Sequence, residues 1–267
     1  MRFAFWFCLA FVACAAARSE ELMIPSGDIA LRTDYAQPAG APAAGVVALH
    51  GCSGPFLARD TFWRDHLVTD GHPIVFPDSF SSRGLGSQCR TPSPTMTPGG
   101  VRRQDAYAAA KWLVAQPGTP PGGVVLLGWS NGGSTALAAA NSPPPGLLRG
   151  IIAFYPGCGV WANRASWVPA VPILILMGAD DDWTSPAPCR VLAARYPELI
   201  KLVLYPGAYH DFDVPGMPIV LRTGLAYTAQ NNGTAHAGSN ADAQADALRQ
   251  VSAYIAQLPP AALVPKL

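Results

Sequence analysis

The chain has 267 residues, 18 basic and 17 acidic side chains, a formal net charge of +1, and 50% hydrophobic against 13% charged residues. That length and apolar content are enough to bury one substantial core. Near-neutrality without basic runs leaves no electrostatic footprint for nucleic acid or an anionic membrane, so a small molecule is the expected partner.

At the start, Arg2 precedes the apolar run 3–12, and Ala15-Ala16-Ala17 supplies small residues where a signal peptidase reads. The run is too short to span a bilayer as a helix. Residues 1–17 are therefore expected to be a cleaved secretory signal, leaving an exported chain, periplasmic or secreted, with no stable membrane insertion. A lipoprotein signal with Cys14 at the new terminus is the rival, and Phe11 fits it poorly. Of the six cysteines, Cys8 and Cys14 leave with the signal. Cys52, Cys89, Cys158 and Cys189 remain, an even set that suggests disulfides. No Cys/His spacing suggests a metal site.

Residues 29–32 read as an edge strand and 37–44 as a Pro/Gly/Ala turn region. Residues 45–50 read as a central strand ending in His50-Gly51-Cys52-Ser53-Gly54, where glycines let the chain turn back. A helix follows over 57–70, with Phe62, Trp63, Leu67 and Val68 at helical spacing, then a strand over 73–78. The polar, Gly/Pro-rich stretch 79–100 is expected to be a surface loop on the functional side of a sheet. The helix over 101–116 turns Ala106, Ala109, Ala110 and Leu113 toward the core.

The run 124–129 reads as a buried strand and 134–140 as an alanine-rich helix, with Gly128-Trp129-Ser130-Asn131-Gly132 between them. This is G-x-S-x-G, the sharp strand-to-helix turn that lifts a serine above the end of a parallel sheet. A Cβ at Gly128 or Gly132 would collide across such a turn. The turn exposes Ser130 Oγ and aims the Asn131 N–H at a reacting carbonyl. Further strands are expected over 150–155, 171–177 and 201–205, with a helix over 188–196. The stretch 216–240 reads as a loop across the mouth of the site. The last helix, 241–257, carries Ala241, Ala245, Leu248, Val251 and Ile255 on one face. Unbroken apolar strands alternating with helices imply one α/β domain over 28–258, its mostly parallel sheet covered on both faces.

A serine nucleophile needs a base and a carboxylate that orients it, on loops after later strands. Asp180-Asp181-Asp182 follows the strand at 171–177 and His210 follows the one at 201–205, in the chain order serine, acid, histidine. Spacing alone leaves the three aspartates open. His50 reads as a scaffold for the loop after its strand, and His66, His72 and His236 have no assigned role.

Four motifs together resemble the α/β-hydrolase superfamily and, within it, the dienelactone hydrolase family, over about 46–255. They are His50-Gly51-Cys52, Gly128-Trp129-Ser130-Asn131-Gly132, Gly178-x-x-Asp181 and Tyr205-Pro-Gly-Ala-Tyr-His210-Asp-Phe. The resemblance implies the α/β-hydrolase fold, Asp181 as the acid, and an oxyanion hole from the N–H groups of Cys52 and Asn131. Dienelactone hydrolases typically carry cysteine where this chain has Ser130, so the lactone substrate is not carried over and the chain is similar to esterase-type members. The expected function is hydrolysis of a small-molecule carboxylic ester through an acyl-enzyme, with no metal or organic cofactor. An amidase, peptidase or acyltransferase on the same fold, or a catalytically silent binding protein, is the alternative. The loops holding the cysteines suggest the pairs Cys52–Cys89 and Cys158–Cys189. Arg83 and Arg90 are weighed as partners of a substrate carboxylate against pairing with Asp78 or backbone carbonyls. Trp129 and Trp183 are weighed as pocket walls against core packing.

Overall fold

The computed structural model describes residues 18–261. The signal reading of residues 1–17, including Cys8 and Cys14, lies outside the described residues.

Two antiparallel strands, β1 (Arg18–Ser26) and β2 (Ile29–Gln37), open the described chain and turn at Gly27, whose φ is 60°. The short edge strand expected at 29–32 is thus longer and lies one place inside the sheet, with β1 as the edge. β2 alternates, sending Leu31, Thr33 and Tyr35 inward, the pattern of a strand with one wet face.

There follow β3 (Val46–Leu49), α1 (Leu57–Thr69), β4 (Ile74–Pro77), α2 (Val101–Val114), β5 (Val124–Trp129), α3 (Asn131–Ala140) and β6 (Leu148–Phe154). Then come α4 (Gly159–Ala162), β7 (Ile173–Gly178), α5 (Pro186–Arg195), β8 (Ile200–Tyr205), β9 (Val220–Thr223), β10 (Thr234–Ala237) and α6 (Ala241–Gln257). The main sheet runs β1-β2-β4-β3-β5-β6-β7-β8. From β4 to β8 every neighbouring pair is parallel. β3, β5 and β7 are buried along their whole length, as strands with helices on both faces must be. Their unbroken apolar runs follow from that. α3 is buried from Gly132 to Ala140, and its alanines let it lie close to the sheet. Tyr107 on α2 donates its hydroxyl to the Ala139 carbonyl at 2.9 Å.

Parallel strands put their carboxyl ends on one edge, so the segments after β3, β5, β7 and β8 meet there. Two expectations need correcting. The stretch 216–240 holds the hairpin β9–β10, paired from Val220 with Ala237 to Thr223 with Thr234. All four side chains of β9 are exposed, so no alternation marks it in the sequence. In α6 the buried residues are Ala243, Ala247, Val251 and Ile255, while Ala241 and Ala245 face solvent. Two alanine stripes run along this helix. The Asn240 side chain, accepting from Ala243 N–H at 3.0 Å, caps its start.

Candidate active site

Ser130 sits between β5 and α3 with φ 53° and ψ −115°, a left-handed conformation for a residue with a Cβ. Its N–H is held by the Phe154 carbonyl at 2.9 Å. The flanking glycines are sterically required. A Cβ on Gly128 would run into the Gly132 backbone, and one on Gly132 into the carbonyls of Leu49 and His50. The elbow thus packs directly on the segment after β3.

His210 follows β8, and the next residue, Asp211, has φ 58°. The His210 Nδ1 lies 2.8 Å from Asp181 Oδ2. Asp181 is fixed in turn: Oδ1 accepts from Trp183 N–H at 2.9 Å and Thr184 N–H at 2.8 Å, and Oδ2 accepts the Thr184 hydroxyl at 3.1 Å. Of the three adjacent aspartates only Asp181 faces His210. Asp182 turns away to His236, with Oδ2 2.8 Å from Nδ1 and Oδ1 accepting from His236 N–H at 2.7 Å. Gly178 lets the two loops close, since a Cβ there would strike the backbone of Ala208.

The imidazole of His210 lies against the tilted rings of Tyr155 and Trp183, with ring centroids 4.4 and 4.6 Å away. Burial alone would lower its pKa. The charge and hydrogen bond of Asp181, aided by Asp211 and Asp213, outweigh burial and hold it above its ordinary value.

Ser130 and His210 line one cavity of about 450 Å³, together with Cys52, Trp183, Arg90 and Arg222. Among the described residues no hydrogen bond joins Ser130 Oγ to His210, although both residues line the same cavity. The backbone N–H groups of Cys52 and Asn131 donate to no protein acceptor among the described residues. Disulfides join Cys52 to Cys89 and Cys158 to Cys189, with Cα atoms 4.9 and 5.2 Å apart. The first belongs to a series of links among segments that line the cavity or adjoin it. Gln88 N–H donates to Cys52 O at 2.7 Å, Ala226 N–H to Cys89 O at 2.9 Å, and Gly238 N–H, just past β10, to His210 O at 2.9 Å.

Two pocket candidates lie elsewhere. Arg83 makes paired hydrogen bonds to buried Asp105 at 2.9 and 2.8 Å and a third to the Ser79 carbonyl at 2.8 Å. A bidentate carboxylate partner holds it away from the cavity. Trp129 is fully buried and donates to Asp213 Oδ2 at 2.8 Å, so it is core rather than pocket wall. Trp183 does line the cavity, and so does Arg90, whose Nη2 donates to the Thr223 carbonyl at 3.2 Å.

Sequence reasoning passed over Arg59, Arg222, Tyr155 and Asp213. Arg59 left a readable signal. It stands four and eight residues before Trp63 and Leu67 on the buried face of α1, where a charge needs a reason. Its guanidinium lies over the Trp129 ring, 4.5 Å from the centroid, and it reaches the cavity. Among the described residues no cluster of three or more His, Cys, Asp or Glu side chains is arranged to hold a metal ion.

The dienelactone hydrolase family model matches residues 31–258. No curated protein matches the sequence. Among solved structures, the chain is similar to a dienelactone hydrolase-like promiscuous phosphotriesterase from metagenomic libraries, at 19% identity and TM-score 0.70, over 91% of this chain and 99% of that one. A dienelactone hydrolase from Anabaena variabilis gives 17% identity and TM-score 0.64, over 91% and 98%. An acylaminoacyl peptidase from Pyrococcus horikoshii gives 15% and 0.60, over 75% of this chain and 38% of that one.

Proposed function

This chain belongs to the dienelactone hydrolase family of α/β-hydrolases, and on that premise we propose that it is an exported serine hydrolase of carboxylic esters. His210 takes the proton of Ser130, whose Oγ attacks the ester carbonyl. Asp181 holds the imidazole in place and stabilises its cation. The oxyanion is received by the N–H groups of Cys52 and Asn131. The alcohol leaves with the proton from His210, and water, activated by the same histidine, releases the acid from the acyl-enzyme.

The observation that carries the reading is one cavity lined by a strained Ser130, an Asp181-backed His210 and Cys52, whose N–H, like that of Asn131 next to the serine, meets no protein acceptor among the described residues. A peptidase or acyltransferase would use the same parts, since fold and triad do not set the leaving group. Likeness to the Pyrococcus peptidase keeps the amide reading second. Matched p-nitrophenyl esters and p-nitroanilides, assayed with the parent and Ser130→Ala, test it. Ester cleavage that vanishes in the variant is expected. Faster anilide cleavage would favour the amidase, and undiminished turnover by the variant would refute Ser130 as nucleophile.

Export is supported by the leader-like sequence at 1–17 and by two disulfides, which persist in oxidising compartments. No helix among the described residues is long and apolar enough to cross a membrane.

A further inference from the structure

Arg102 stands where stability alone would not put an arginine. It lies in the first turn of α2, the positive end of that helix, and is only 1% exposed. Among the described residues no carboxylate lies within ion-pair distance of it. Asp105, one turn along, is taken by Arg83, and Arg102 Nε has no hydrogen-bond partner. Burial pulls the guanidinium down to about 9 while Asp105 and Asp78 pull the other way, so it stays cationic at neutral pH. A buried cation kept in this state costs folding free energy. Such departures from local rules concentrate at functional sites.

Its contacts supply the reason. Nη2 donates to the His50 carbonyl at 2.7 Å, and Nη1 donates to Asn131 Oδ1. One guanidinium therefore ties the segment after β3 to the residue whose own N–H opens α3. His50 carries the tie further. Burial, with Arg102 beside it, holds its imidazole well below the usual value, hence neutral. Nε2 accepts from Ser79 N–H at 3.1 Å, which leaves the proton on Nδ1, donating to the Gly51 carbonyl at 2.8 Å. The Gly51 carbonyl and the Cys52 N–H belong to one planar peptide and point in opposite directions. Fixing the first aims the second.

We propose that Arg102 is a positioning residue for the oxyanion hole, holding the Asn131 donor through that residue's side-chain amide and the Cys52 donor through His50. This rests on the acyl-transfer reading above. Arg102 touches no substrate; it keeps two main-chain donors at the spacing that a tetrahedral oxyanion requires, which is the preorganisation that makes such donors effective.

Three variants test it: Arg102→Gln, Arg102→Lys, and Asn131→Ala, which removes the acceptor but keeps the backbone N–H. For each, kcat and KM on p-nitrophenyl acetate are measured with the melting temperature and the affinity for a boronic acid that forms a tetrahedral serine adduct. Arg102→Gln should lower kcat about 10²-fold with KM within about twofold, and weaken the boronate by the same factor as kcat/KM. Millimolar guanidinium should restore part of kcat in Arg102→Gln. The Gln/Ala double variant should be no slower than Arg102→Gln alone. If Arg102→Gln fails to fold, the lysine variant decides, because one ammonium cannot span both acceptors and should lose at least about tenfold in kcat. A folded variant whose kcat and boronate affinity stay within about twofold of the parent overturns the proposal, as does a rate loss that merely follows the unfolded fraction. A parent that cleaves no ester and takes no fluorophosphonate would remove the acyl-transfer reading and this inference with it. A labelled parent with unaffected Arg102 variants would remove this inference alone.

Discussion

Tyr155 donates its hydroxyl to Asp213 across 2.6 Å while its ring lies 4.4 Å from that of His210. The same carboxylate accepts the indole N–H of Trp63 at 2.7 Å and of Trp129 at 2.8 Å. Donors from α1, β5 and the end of β6 thus converge on one buried acid three residues beyond His210. Asp213→Ala would leave three buried donors unpartnered, at about 1–3 kcal/mol each. The expected result is a melting temperature lower by about 10 °C or more, read by circular dichroism, with a much smaller loss in Asp213→Asn. A melting point within about 2 °C of the parent would show that the cluster contributes nothing.

The raised pKa of His210 fixes the pH behaviour. Under the proposed mechanism the neutral imidazole takes the proton of Ser130, so kcat/KM should climb with pH and its acid limb should lie above 6.5. Asp181→Asn removes the main group raising that value. The limb should move down, and the rate should fall by about 10⁴, the size of the effect in serine proteases. The folding linkage has a definite sign. His210 stabilises the fold fully below 6.5, and that contribution is lost as pH rises through its raised value. A pH–rate profile on both proteins checks the first two points, and urea unfolding across the same range checks the third.

The two disulfides should separate stability from activity. Their sequence separations of 37 and 31 predict nearly equal stabilisation under the chain-entropy model, about 4 kcal/mol each. Replacing either pair by serine should therefore lower the melting temperature comparably. Only loss of Cys52–Cys89, both of whose cysteines line the cavity, should also lower kcat. Equal kcat in the two double variants would show that this bridge does not hold the site.

The elbow glycines should tolerate nothing larger. Gly128→Ala and Gly132→Ala each drive a Cβ into backbone, and each should cost about 3 kcal/mol or more together with nearly all activity. Gly86→Ala, where a Cβ meets nothing within 4 Å, is the matched control and should behave as the parent. Soluble expression and ester turnover of the three variants give the comparison.

Much of this architecture was legible because burial on both faces writes unbroken apolar runs. β3, β5 and β7 are such runs, while β6 carries Arg149 and the edge strand β8 an exposed Lys201 within otherwise mostly apolar stretches; the glycines around Ser130 mark a turn that only small residues can make. The hairpin β9–β10 escaped because the side chains of β9 all face solvent and carry no period. The buried face of α6 could not be chosen between two alanine stripes. Arg83 shows the limit most clearly, and Arg59, marked by its place on an apolar face, shows that such a mark does not name the partner. Arginine's reach lets one near a loop be captured by Asp105, while another on the apolar face of α1 arrives in the cavity. Charged side chains find partners through tertiary packing, which no local pattern records.

The central claim is that Ser130 Oγ is the activated nucleophile of this cavity. Treating the folded protein with a fluorophosphonate and mapping the adduct by peptide mass spectrometry tests it directly. One adduct is expected, on Ser130, formed more slowly in His210→Ala and absent in Ser130→Ala. An adduct on another residue, or none on a correctly folded parent, would contradict it.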